Sequence, residues 1–319
     1  MNKVDASLLI HLAHIKEEFS KGKLTLFCGA GVSADSGIPI WNHLLKDLLS
    51  ELFMKKIGQD EISPKVLAQI YLEYFKRSPL IILQYLKIQL GSDFLSYVRG
   101  ALYRKQPASN ELVEVIVDLC RPQRERKSLH SIITFNFDDV IEKNLEINKI
   151  RYKSISKEGE RYLPSELPIY HVHGFLPRQG DLSDFNIVSS EDAYHSQFID
   201  PFSWSNLVQL NHLNQNLCLF IGLSLTDPNL RRLLDVCMRK KPDKVLKNHY
   251  VFKKRYKQDE VDKHIAELGI KEKSNEYTRI FIETAEKFEE QDANNLGLNV
   301  IWVNDFQEIP LLLRQLTQD

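Results

Sequence analysis

The stretch "LFCGAGVSADSGIPIW", residues 26–41, decides the fold. It closes an apolar run, Leu24–Cys28, that reads as a short buried strand. Three small residues follow, Gly29, Ala30 and Gly31, and then Val32 and Ser33. A strand that breaks into small residues and opens a helix brings backbone N–H groups against a diphosphate. The third glycine of G-x-G-x-x-G is missing, so this is half of the common dinucleotide fingerprint.

Working outward, apolar runs at 24–28, 131–135, 168–173, 185–189, 217–221, 248–253 and 299–303 alternate with longer helical patterns. That alternation predicts an α/β fold, a Rossmann-like parallel sheet with helices on both faces. Residues 44–128 have little strand character and place Pro64 and Pro79 near helix starts. They are expected to form a helical insertion subdomain, with 1–43 and 129–319 making the sheet domain. The charged stretch 257–295 reads as solvated helix, and "LNVIWVNDF" as a final strand before a C-terminal helix.

With 42 Lys and Arg against 43 Asp and Glu in 319 residues, no global field argues for nucleic acid or a membrane surface. No apolar run approaches the ~20 residues of a membrane span. The first 23 residues lack a signal-peptide core and read as an amphipathic helix, so the cytoplasm is the expected compartment. Cys28, Cys120, Cys218 and Cys237 lie far apart with no C-x-x-C, which indicates neither a disulfide framework nor a cysteine zinc site. The basic cluster "RPQRERK", residues 121–127, lacks interleaved aromatics for base stacking and reads first as a solvated loop.

Three further strands end in small or polar groups. "SIITFNFDD" delivers Asn136 and Asp138, "LPIYHVHGF" delivers His171 and His173 before Gly174, and "LCLFIGLSLTDPNL" delivers Gly222, Ser224 and Asp227. In an open parallel sheet, ligands sit beyond the carboxyl ends of the strands. Each residue has a simpler role open to it. Asp138 and Asp227 can cap the helices that follow, the latter before the helix-starting Pro228, and Asn136 can satisfy a turn. His171 and His173 share a strand face, and one can be a buried structural histidine.

Together these stretches resemble the Sir2 family. "GAGVSADSGIP" (29–39) is similar to its first motif, "TFNFD" (134–138) to its T-x-N-x-D motif, His173-Gly174 to its His-Gly pair, and "GLS" (222–224) to its nucleotide loop. Order and spacing agree across residues 29–230. Departures are equally informative. Ile40-Trp41-Asn42 stands where deacylases carry Asp-Phe-Arg, Phe135 replaces the glutamine before the asparagine, and the two C-x-x-C zinc pairs are absent. The chain therefore resembles the zinc-less bacterial branch of Sir2-like NAD-cleaving enzymes that act against phage.

That resemblance implies a hydrolase converting NAD+ to nicotinamide and ADP-ribose, with NAD as substrate and no metal. It implies Asn136, His173 and Asp138 as catalytic residues. It places Gly29, Ala30, Gly31, Val32, Ser33, Trp41, Phe135, Gly222, Ser224 and Asp227 around the dinucleotide, with the N–H groups of Ala30 to Val32 and the Ser33 hydroxyl on the diphosphate. It also implies a homo-oligomer, restrained or triggered by a partner in trans such as a HerA-type ATPase. A protein deacylase and a non-catalytic nucleotide sensor are the alternatives.

Overall fold

The computed structural model describes residues 3–57, 63–122, 128–183, 185, 187–188, 190–240, 249–269 and 275–318. In chain order the elements are α1 (Lys3–Ser20), β1 (Leu24–Cys28), α2 (Ala30–Ser33), α3 (Trp41–Ile57), α4 (Pro64–Phe75), α5 (Pro79–Leu90), α6 (Phe94–Tyr103) and α7 (Glu111–Leu119). There follow β2 (Ser131–Thr134), α8 (Val140–Ile147), β3 (Tyr152–Ile155), β4 (Leu167–His171), α9 (Glu191–Ile199), α10 (Trp204–Gln215) and β5 (Leu217–Ile221). The chain continues with α11 (Pro228–Lys240), β6 (His249–Lys254), α12 (Gln258–Glu267), α13 (Asn275–Asn295), β7 (Leu298–Val303) and α14 (Glu308–Arg314).

The seven strands pair in parallel, in the order β3-β4-β2-β1-β5-β6-β7. The chain builds outward from β1 through β2, then returns to lay β5 on the other side of β1. That reversal opens a crevice at the carboxyl ends of β1 and β5. Strands β1, β2, β4 and β5 are buried along their whole length, as a sheet covered on both faces requires.

Side chains alternate across the sheet into two apolar layers. Leu24, Leu26, Ile132, Leu219 and Ile221 face one side and pack with Leu45, Leu48, Ile82, Leu86 and Ile116 of the helices between β1 and β2. Phe27, Ile133, Phe220 and Val251 face the other side, with Leu230, Leu233 and Leu234 of α11. The helical layer over 41–119 thus shares one continuous core with the sheet. Local chemistry sets its boundaries. Pro64 and Pro79 open α4 and α5, and the Ser78 hydroxyl accepts from the Ile81 N–H. Asn110 caps α7 by accepting from the Val113 N–H at 2.9 Å. Its Nδ2 donates to the Val32 carbonyl at 2.8 Å and to Ser36 Oγ at 2.7 Å, tying this layer to the turn after β1.

Two details depart from the sequence reading. β3 is an edge strand that pairs with β4 alone, and its Tyr152, Lys153 and Ser154 are only half-buried, so it carries no apolar alternation to announce it. Within 185–189, Ile187 makes an isolated antiparallel bridge to Gly174 and Val188 donates its N–H to the His173 carbonyl at 2.7 Å. This β-branched segment (residues 186 and 189 lie outside the described residues) clamps the His173 turn instead of joining the sheet. The basic cluster falls largely outside the described residues, at 123–127. Its Arg121 is engaged by Asp118 and Asn148. Among the described residues, no helix is long and apolar enough to cross a membrane.

Candidate active site

The turn after β1 is built against the turn after β5. Gly29 donates its N–H to the Ile221 carbonyl at 3.0 Å, and Gly31 donates to the Gly222 carbonyl at 3.1 Å. A Cβ on Gly29 would lie 2.5 Å from the Gly222 oxygen, and one on Gly31 would lie 2.8 Å from the Gly222 Cα. Gly222 itself has φ +65°, in the left-handed region that favours glycine. Leu225, a buried non-glycine residue, follows at φ +58°, its carbonyl held by Arg231 Nη1 at 3.2 Å. A backbone strained this way in a crevice loop is characteristic of ligand-binding segments.

This packing changes the expected part played by the glycine turn. The Gly31 N–H is bonded to Gly222, and the Val32 N–H donates to the Gly29 carbonyl at 3.0 Å, so neither is available to a diphosphate. The Ala30 N–H has no protein acceptor among the described residues. Ser33 is fully buried and its hydroxyl donates to Asp138 Oδ1 at 3.0 Å while accepting from Asn136 Nδ2 at 3.3 Å. These bonds join the ends of β1 and β2.

A cavity of about 470 Å³ occupies the crevice, within the range of ligand sites. Gly29, Ala30, Trp41, Phe135, Asn136, His173, Gly222, Ser224 and Asp227 all lie on its walls. Gly31, Val32 and Ser33 stand behind that wall. Ser78, Pro79 and Leu80, at the start of α5, close it from the helical layer. A smaller void of about 40 Å³ adjoins it through Ala30, Trp41, Phe135 and Asn136, and is bounded by Ile38, Pro39 and Asp138.

Asn136 is pinned on several sides. Its Nδ2 donates to the Gly29 carbonyl at 3.0 Å, its N–H donates to Thr134 Oγ1 at 3.1 Å, and its carbonyl faces His171 Nδ1 at 3.1 Å. His171 in turn meets Glu142 Oε1 through Nε2 at 2.6 Å, with the Ser154 hydroxyl on the same oxygen at 3.0 Å. Burial disfavours charge on His171, but the Glu142 carboxylate and these hydrogen bonds outweigh it and hold its pKa above the ordinary value. The strand β4 ends at His171, which is thus the structural histidine, and His173 lies in the turn beyond it.

His173 is different. It is buried, its Nε2 makes no hydrogen bond, and the nearest carboxylate oxygen is Asp227 Oδ2 at 3.5 Å. Phe135 meets its ring edge-on at 4.9 Å. Burial pushes its pKa down, with Asp227 opposing, so the imidazole is held neutral. A neutral imidazole in a cavity wall keeps one ring nitrogen free of a proton and is suited to act as a base.

Asp138 accepts from Ser33 Oγ and from the Val140 N–H at 3.1 Å, the first N–H of α8, whose N-cap position is Asp139. Burial drives its pKa up to about 6 despite those bonds. The folded state therefore binds a proton that the unfolded chain has released, and stability falls as pH rises from about 4 to 6. A shift of this size corresponds to about 3 kcal/mol of cost when the carboxylate is ionised. Asp138→Asn keeps an acceptor for both donors and is expected to be more stable than wild type at pH 8. That gap should close near pH 4 in urea denaturation.

Sequence reasoning missed Tyr194, whose hydroxyl donates to Asp227 Oδ1 at 3.1 Å and accepts from the Asn229 N–H at 2.6 Å. Nor did it reveal Glu142, which lies inside a helix with no motif around it, or the α5 start on the cavity wall. The one available signal was Ser78-Pro79, a helix-start pair. Among the described residues, no group of three or more His, Cys, Asp or Glu side chains gathers to hold a metal.

A family model described as a SIR2-like domain matches residues 130–276, which takes in Asn136, His173 and the loop after β5. The chain is 24% identical over 330 aligned positions to the NAD(+) hydrolase ThsA of Enterococcus faecium, covering 98% of this chain and 58% of that protein. It is 27% identical over 239 positions to the NAD(+) hydrolase ThsA of Acinetobacter baumannii, covering 70% of this chain and 41% of that one. The chain thus spans about half the length of the curated relatives it matches. Residues 130–276, which hold the strands and turns on the β2, β4 and β5 side of the crevice, are thus similar to a SIR2-like domain.

Proposed function

We propose that the protein is an NAD+ glycohydrolase, converting NAD+ and water to nicotinamide, ADP-ribose and a proton. The observation that carries this reading is the single cavity bounded by the Ala30 turn, Asn136 and the unpartnered imidazole of His173. Relatives named as NAD(+) hydrolases support the substrate. In the reaction, the bond between the ribose C1′ and the nicotinamide nitrogen breaks, and its electron pair neutralises the pyridinium ring. The oxygen of water bonds C1′, and His173 takes the released proton before passing it to solvent. Asn136, with its amide group anchored on Gly29, orients the ribose and the water. The nicotinamide ring lies at the end of the main cavity nearest Asn136, with Trp41 on its rim. The Ala30 N–H and Ser224 hold the diphosphate and adenosine portions, and Ser78, Pro79 and Leu80 close one side of the site.

Purified protein incubated with NAD+ and no peptide is expected to release nicotinamide and ADP-ribose in equal amounts, identified by mass. Release only in the presence of an acyl-lysine peptide would make it a deacylase, and no release would overturn the reading. The resemblance to phage-defence enzymes supports a wider role as a cytoplasmic effector that depletes NAD. In that role it acts as a homo-oligomer under the control of a partner such as a HerA-type ATPase. A fall in cellular NAD on infection tests that role.

A further inference from the structure

We propose that Asp227 is the carboxylate partner of His173 and that Tyr194 is a positioning residue that aims it; this rests on the glycohydrolase reading above. The groups facing His173 come from three elements. Phe135 from the end of β2 and Tyr194 from α9 present ring edges at 4.9 and 6.5 Å, and the loop before α11 presents Asp227, the charged member. Oδ1 of Asp227 is fully engaged, accepting the Leu230 N–H at 2.7 Å and the Tyr194 hydroxyl at 3.1 Å. These two bonds fix the carboxylate plane and leave Oδ2 directed at the buried Nε2 of His173, 3.5 Å away. Catalytic contacts of this length tighten when bound substrate excludes water.

A capping role accounts for Oδ1 alone. It gives no reason for a carboxylate rather than an amide, since asparagine caps equally well. It also leaves the orphaned Nε2 unexplained. A carboxylate on Nε2 holds the ring proton there, so the other nitrogen, Nδ1, accepts the proton from water. The imidazolium formed is then stabilised by Asp227 until that proton leaves to solvent. Tyr194 acts one step removed. Its hydroxyl, itself held by the Asn229 N–H, stops the carboxylate from rotating.

Asp227→Asn preserves the acceptor for Leu230 and Tyr194 and is expected to fold normally. Its kcat should fall about 10²–10⁴-fold, the scale lost when the carboxylate that holds a general-base imidazole becomes an amide. KM for NAD+ should stay unchanged, and the acid limb of the pH–rate profile should move to lower pH. Tyr194→Phe should move the limb the same way by less; an unmoved limb removes Tyr194 from the assignment. An Asp227→Asn variant with raised KM and unchanged kcat would make Asp227 a substrate-binding group and overturn the proposal. NMR titration of the His173 ring, assigned against His173→Ala, separates this from failure of the glycohydrolase reading. The titration must shift to lower pH in Asp227→Asn even if no nicotinamide is released, and an identical titration overturns the pairing.

Discussion

His173→Ala is expected to lower nicotinamide release by about 10²–10⁴-fold, the usual contribution of a positioned general base. The fold should persist, because the imidazole makes no hydrogen bond that the structure depends on. The pH dependence follows from the same surroundings. Burial, opposed in part by Asp227, lowers the His173 pKa, so the wild-type acid limb should lie below the ordinary histidine value of about 6.5. Over the window between those two values the unfolded chain binds the extra proton, so this group makes stability rise with pH there. Removing the ring should abolish that component. Full activity in the purified variant, with a normal circular dichroism spectrum, would place the chemistry elsewhere.

Glu142→Ala is expected to have the largest effect on stability. The carboxylate is buried with His171 and accepts from Ser154 as well, so its loss leaves a buried imidazole and a hydroxyl without their acceptor. Breaking one side of a buried ion pair costs about 3–5 kcal/mol. The His171 pKa is raised in the fold, so the pair's contribution is complete below the ordinary histidine value. It is lost as pH rises through the elevated one. The gap between wild type and variant in urea denaturation should therefore be widest near pH 6 and narrow in alkali. Activity should fall too, since His171 fixes the Asn136 carbonyl. A variant as stable as wild type at pH 6 would show that the pair contributes nothing.

What was legible in the sequence is what chemistry restricts to few residue types. Glycines forced by backbone packing, an asparagine and a histidine after β-branched strands, and buried apolar runs stand out because substitutes do not fit. β3 was hidden because an edge strand with one neighbour needs no apolar alternation. The run at 185–189 misled for the opposite reason: its β-branched composition serves packing on the His173 turn. Ser33 was expected on a ligand and is found between Asn136 and Asp138, since motif spacing cannot say which way a hydroxyl points. Glu142 and Tyr194 act from helices across distances that no local pattern encodes.

The interlocked glycines after β1 and β5 carry a consequence for how such a site can be altered. With Gly29 and Gly31 seated on Gly222 and no room for a methyl group on either side, neither segment can drift in sequence while the other stays fixed. The two halves of the crevice floor must therefore be inherited, or redesigned, as one matched unit. Diversity in ligand preference is left to the surrounding rim, at Trp41, Phe135 and the opening turn of α5.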